Sequence, residues 1–231
     1  LRFGEISPKT IWHVSKDYSN PGTDHFVREV GWREFSYHLM ANFPFLANKP
    51  LRENFEQFPW RDSEEDYEAW TKGMTGYPIV DAGMRELYAT GWMHNRVRMI
   101  VSSFLVKHLL IDWRKGERWF FDTLLDGDFC SNNAGWQWVS GGGADAAPYY
   151  RIFNPILQGK KFDTGGRYVR KWVPEIADIP NANLHAPWEL SEGQLQLFGV
   201  KLGETYPEPI VNHDFARKRA LESFDQITAK K

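Results

Sequence analysis

Between Trp92 and about Leu110 the apolar side chains Val97, Ile100, Val101, Phe104, Leu105 and Leu109 build one side of a helix, while Asn95, Arg96 and Arg98 point elsewhere. That period is helical and does not supply the alternation of a half-buried strand. The same reading extends along the chain. Ser7 before Pro8 starts a helix: a hydroxyl cap, then the residue whose missing N–H does no harm at the first helical position. A second helix is predicted from Asp24 to about Met40, with Phe26, Val30, Phe35 and Leu39 at helical spacing and Glu29, Trp32 and Arg33 on its other face. An acidic helix ends near Lys72, PIVDAGMRELYAT is opened by Tyr77-Pro78 and closed by Gly91, and another runs from about Lys115 to Leu125. Beyond 155 a basic loop precedes a short helix stopped near Pro174. The proline-rich region from 174 to 213 holds only a short helix near Ser191 to Phe198, and a last helix starts at Asp214. The fold class predicted is all-α, a multi-helical domain with Gly/Pro turns; 231 residues suit one large domain or one and a half ordinary ones.

The run from 126 to 155, DGDFCSNNAGWQWVSGGGADAAPYYRIFNP, carries the chemistry. Asp126 and Asp128 flank Gly127, Asn132 and Asn133 follow, Trp136 and Trp138 stand one residue apart, and three glycines lead to Tyr149, Tyr150 and Arg151. The run reads as turn-rich. A plain core helix has no use for so many polar groups beside so much aromatic area, because each polar group buried without a partner costs about 1–3 kcal/mol. A planar polar ligand satisfies both kinds of group.

Several function classes fall away. The net charge of −2 announces no global field for nucleic acid, although six cations from Arg151 to Lys171 face a single acid, Asp163. The acidic run from Asp62 to Glu68 reads as a solvated helix face. One cysteine, Cys130, excludes an internal disulfide and fits a reducing compartment. Neither a membrane-spanning run nor a signal peptide is visible, so a cytoplasmic protein with no membrane partner is expected. There is no G-x-S-x-G elbow, no P-loop, no G-x-G-x-x-G opening and no histidine spacing for a metal. The eleven Trp are by default core and helix-contact filling.

The runs TGYPIVDAGMREL at 75–87, TGWMHNRVRMIVSSFLVKHLLIDWRKGERWF at 90–120 and DGDFCSNNAGWQWVSGGGADAAPYYRIFNP resemble the flavin-binding helical domain of the DNA photolyase and cryptochrome family. The likeness runs from residue 1 to about 176, continues more weakly beyond, and is nearest to the class I cyclobutane pyrimidine dimer photolyases. It implies an all-helical domain, 1–231, holding a folded FAD beside a cavity for a flipped-out pyrimidine dimer, which a lyase splits by light-driven electron transfer. Arg98 and Asp126 match the ion pair beside the flavin ring, with Gly127 between it and Asp128, which matches the acid near the ribityl and adenosine portion. Asn132 matches the residue facing the central-ring nitrogen, where photolyases have Asn, plant cryptochromes usually Asp and insect ones Cys. Phe26 stands where many members stack a Trp on the flavin.

Trp136, Trp113 and Trp60 align with the tryptophan chain that photoreduces the flavin. Trp32 and Trp138 align with the rings that wedge the dimer, Glu29, Asn95 and Met99 line the same pocket, with Asn95 also among the residues expected to hold the cofactor, and Arg96 and Arg151 hold phosphates of the DNA. Six-four photolyases resemble one another in histidines near MHNRVRM, whereas here Asn95 follows His94; with Trp138, this favours cyclobutane dimers. In the family a Thr/Ser-rich phosphate-binding loop and an N-terminal α/β antenna domain precede LRFGEIS. Their absence from this chain implies weaker FAD binding, by several hydrogen bonds of about 1.5–3 kcal/mol each. The α/β domain and dimer-containing DNA are the partners expected of a monomer. A light-sensing cryptochrome without repair, or a helical DNA-binding fragment without flavin, are the competing readings.

Overall fold

A computed structural model describes residues 1–18, 20–146 and 150–228. Tyr149, one of the exit aromatics named above, lies outside the described residues. Among the described residues the chain forms eleven α-helices, several 3₁₀ turns and one isolated bridge between Leu202 and Tyr206. The all-helical expectation holds, and no helix among the described residues is long and apolar enough to cross a membrane.

The caps explain most helix starts. Ser7 accepts from the Thr10 N–H at 3.1 Å and opens α1 (Pro8–Ser15). Helix α2 (Pro21–Asn42) starts three residues earlier than predicted, because Asn20 accepts from the Thr23 N–H at 3.0 Å and Pro21 takes the first helical position. The acidic α3 (Glu64–Thr71) and then α4 (Pro78–Thr90) follow, the latter closed by Gly91 at φ 69°. Helix α5 (Asn95–Ser103) begins three residues after Trp92, since His94 caps it through Nδ1 to the Arg96 N–H. It runs on as a π-helical turn, Phe104–His108. Next come α6 (Trp113–Thr123) and α7 (Phe129–Ser140).

Helix α7 corrects the turn-rich reading of 126–155. Asp128 caps it by accepting from the Ser131 N–H at 2.9 Å, and Gly141, at φ 99°, ends it. Its buried amides are satisfied within the protein. Buried Asn133 donates to the Leu46 carbonyl at 3.0 Å and to Glu117 Oε1 at 2.8 Å. Buried Gln137 donates to the Leu46 carbonyl at 2.9 Å and to Asn133 Oδ1 at 3.0 Å, and accepts from the Leu51 N–H at 3.0 Å. A core helix therefore does have a use for amides here: they serve the orphan carbonyls of the 3₁₀ turn Pro44–Ala47 and the chain that leaves it.

The C-terminal third consists of α8 (Pro155–Phe162), α9 (Arg167–Trp172), α10 (Glu192–Leu197) and α11 (His213–Thr228). The predicted basic loop after 155 is thus helical, with Asn154 as its cap. The core gathers α4, α5, the π-helical turn and α6 around Trp70, Met84, Ile100, Phe104 and Trp113. Loops are fastened to it by Asp81. Its fully buried carboxylate accepts from Thr75 N–H at 2.7 Å, Thr75 Oγ1 at 2.6 Å, Gly76 N–H at 3.0 Å and Tyr206 O–H at 2.6 Å. By contrast α1 and α2 bury little: Trp12 is 45% exposed and only Val30 and Ser36 of α2 are buried.

Candidate functional site

Helices α2, α5 and α7, with the loop before α7, enclose a cavity of about 670 Å³. Helix α2 presents Glu29, Trp32, Arg33 and Ser36 to it, a spacing of three and four that keeps them on one face. Helix α5 adds Asn95, Arg98 and Met99 from its first turns. The loop contributes Asp126, Gly127 and Asp128, and α7 contributes Asn132, Trp136 and Trp138. Residues separated by more than a hundred positions thus face one hollow.

Its polar groups are fixed in place. Arg98 Nη2 donates to both Asp126 oxygens, at 2.9 and 3.1 Å, while Arg98 Nε donates to the Met93 carbonyl at 2.7 Å. The guanidinium is thereby tied to its own helix start, and the 53% exposed Asp126 carboxylate remains open to further donors. At Gly127 a β-carbon would stand 3.0 Å from the Leu124 carbonyl, so the loop closes tightly there. Asp128 both caps α7 and accepts from the Tyr37 hydroxyl of α2. Burial resists its ionisation, but the hydrogen bonds from Tyr37 and Ser131 win and hold the carboxyl below the ordinary Asp range; the same contact pushes the Tyr37 phenol up. Asn132 Nδ2 donates to the Glu117 carbonyl at 2.8 Å, which fixes the plane of the amide. Burial raises the Glu117 carboxyl, against the opposing bond from Asn133.

The rings divide into two groups. Trp136 lines the cavity yet is 2% exposed, edge-on to Phe120 with centroids 5.0 Å apart and to Trp70 at 6.2 Å. Trp113 lies in the core at 1% exposure, and Trp60 is half-buried against Phe58 with centroids 4.3 Å apart; neither lines the cavity. Trp32, 48% exposed, and half-buried Trp138 do line it. Trp138 is anchored by its indole N–H to the Asp145 carbonyl at 3.0 Å.

Three sequence-predicted positions stand elsewhere. Phe26 shares the cavity face of α2 but lies one turn beyond the rim, 50% exposed. Arg96 turns away, its guanidinium over the Phe162 ring at 4.7 Å. Arg151 is exposed beside a separate small cavity. Within the basic run, Arg170 is a fold clamp: it donates to the carbonyls of Ala177, Ile179 and Gly165 at 2.7, 2.7 and 2.9 Å and to Asn181 at 2.7 Å. Sequence reasoning assigned no role to Tyr37, Glu117 or Gln137. An N-N-x-x-x-Q spacing on a helix was the available signal for the last, since it stacks two amides one turn apart.

The cavity lies within the roughly 300–1,000 Å³ of cofactor sites, and its aromatic floor with polar edges fits a large planar ligand with polar substituents. The profile described as the FAD-binding domain of DNA photolyase matches residues 26–226. A deoxyribodipyrimidine photo-lyase of Agrobacterium fabrum is 57% identical over 98% of this chain and 48% of its own length. Cryptochrome-1 of Arabidopsis thaliana is 42% identical over 98% of this chain and 35% of its own length. The crystal structure of a class III photolyase from Agrobacterium tumefaciens superimposes with a TM-score of 0.92 at 55% identity, covering 98% of this chain and 48% of that one. The chain spans about half the length of the photolyases it matches. A profile match over most of its length, joined to so close a superposition, shows that the chain belongs to the DNA photolyase and cryptochrome family, as its FAD-binding domain.

Proposed function

We propose that this chain forms the catalytic part of a photolyase that repairs cyclobutane pyrimidine dimers in DNA. The observation that carries the reading is the placing of Trp32 and Trp138 on the same cavity as Arg98, Asp126 and Asn132. Two aromatic faces at the mouth suit unstacked bases, each stacked base being worth about 1–3 kcal/mol, and that gain offsets extrusion, which damage makes cheaper. Glu29, Asn95 and Met99 line the lesion side; Glu29 accepts a hydrogen bond from a pyrimidine edge. Arg98, Asp126, Gly127, Asp128 and Asn132 hold the flavin. FAD, when bound, supplies the light-driven electron. Asn132, with its nitrogen committed to the Glu117 carbonyl, orients a neutral amide at that group. Trp136 at the cavity, Trp113 in the core and Trp60 towards the surface supply a path by which electrons enter. Arg151 contributes to the grip on DNA phosphates. An N-terminal α/β domain completes the working protein, as the length of the relatives supports.

A second reading is a light sensor that signals without repair, favoured by the likeness to cryptochrome-1. The similarity to a class III photolyase does not carry the class I assignment, which therefore is not part of the proposal. The test is an absorption spectrum of the chain before and after adding FAD, followed by product analysis of dimer-containing DNA under blue light and in the dark. Flavin uptake with light-dependent loss of dimers is expected. Flavin uptake without repair would favour the sensor, and damaged-DNA retention without flavin the bare binding module.

A further inference from the structure

Lys107, on the π-helical turn, is 4% exposed. Its ammonium donates to the Arg151 carbonyl and lies 4.4 Å from the centroid of the Tyr150 ring. Beside it is a small cavity of about 40 Å³, lined also by Arg52, Ser103, Trp138, Tyr150 and Arg151 and, among the described residues, by no carboxylate. The other titratable neighbours bring no negative charge: burial pushes the Tyr150 phenol up, so it stays neutral, and burial pulls His108 down to about 3, so it stays neutral as well. Beyond His108 stand His213 and Arg219, which feel Asp214 and Asp66 respectively; neither acid is in hydrogen-bond contact with the pair. A buried ammonium is costly unless paired with an anion, and a carbonyl with a ring face offsets only part of that cost. Among the described residues the fold thus keeps a cation with no anion in contact with it.

The segment above it runs 150–153. Tyr150 stacks on Phe224 with centroids 4.6 Å apart, and the Phe153 N–H donates to Ser103 Oγ at 3.5 Å. Lys107 pins the peptide between them. We propose that Lys107 is a positioning residue for DNA: it fixes the backbone that carries Arg151, and its buried charge is offset through space by a phosphate of the bound strand held at Arg151. The inference rests on the repair reading, and deepens it by naming the group that couples the phosphate grip to protonation. Burial and the neighbouring Arg151 guanidinium pull Lys107 down to about 7. An arriving phosphate favours the charged form. DNA binding above that pH then takes up a proton, and affinity falls as pH rises through it.

The experiment measures binding of a dimer-containing duplex and its undamaged counterpart to the FAD-supplied chain, in the dark at fixed salt, at about pH 6 and about pH 8.5. Wild-type affinity is expected to fall about fivefold across that range. Lys107→Met, close in volume, is expected to bind about tenfold more weakly at the lower pH and to show no slope, with flavin absorbance and circular dichroism unchanged. Lys107→Arg keeps a charge that does not titrate, so it restores affinity at both values. Wild-type affinity and slope in Lys107→Met overturn the proposal, and if that variant fails to fold, a wild-type slope in Lys107→Arg does so. Equal retention of damaged and undamaged duplex by the wild type overturns the repair reading instead, while the slope on plain duplex still decides the lysine.

Discussion

Asp128 shows how much a single side chain is asked to do. It caps α7 and holds the Tyr37 hydroxyl of α2, so one carboxylate joins two walls of the cavity. Because its folded pKa is depressed, its contribution is fully present above the ordinary Asp value of about 3.9 and is lost as pH falls below that. Tyr37→Phe removes the largest favourable contact. Thermal midpoints followed from neutral pH downward should fall less steeply in the variant than in the wild type over the acid range; parallel curves would show that the hydrogen bond does not depress Asp128. At the cavity mouth, Trp138→Ala should weaken binding of dimer-containing DNA by about 1–3 kcal/mol, measured by fluorescence titration. Unchanged affinity would remove Trp138 from the lesion pocket. Sequence resemblance picked out polar and aromatic residues from each of the elements that meet at the cavity, but not Tyr37 behind Asp128, because nothing local links it to a carboxylate 91 positions away.

At the scale of elements, the packing of α6 on α7 depends on an absent side chain. A β-carbon at Gly116 of α6 would lie 2.1 Å from Trp136 Cη2 and 2.6 Å from Leu105, so the ring fills the space a side chain would take. Gly116→Ala should cost about 1–3 kcal/mol by overpacking and shift the Trp136 ring. Urea unfolding and tryptophan fluorescence measure both, and wild-type stability with an unchanged spectrum would contradict the contact. Helix boundaries were legible at Ser7-Pro8, where a hydroxyl cap precedes a proline, and from Pro78 to Gly91, where a proline opens and a glycine closes an apolar period, but the Asn20-Pro21, Asp128 and Asn154-Pro155 starts were missed. The 126–155 run was misjudged for a physical reason. The partners of Asn133 and Gln137 are carbonyls near residues 46–51, and no local pattern tells a satisfied amide from an unsatisfied one.

For the whole molecule, the last helix closes a second cluster. Arg219 donates to the His108 carbonyl, His108 and His213 share a hydrogen bond at 2.8 Å, and Phe224 covers Tyr150. Truncation after Asn212 should therefore lower the thermal midpoint by more than about 5 °C, since roughly 2–4 °C accompanies each kcal/mol in a chain of this size. Calorimetry would read it, and an unchanged midpoint would mean that α11 adds no stability. The sequence alone determined that the chain is helical and where several helices start, because caps, prolines and a 3.6-residue period act over a few neighbouring positions. Only the tertiary structure decided that α2, α5 and α7 leave a hollow between them, that Asp128 bridges two of its walls, and that Lys107 is shut away beneath Arg151. Those facts depend on which faces meet across long stretches of chain, and the energies that choose them belong to side chains that are not neighbours until the protein has folded.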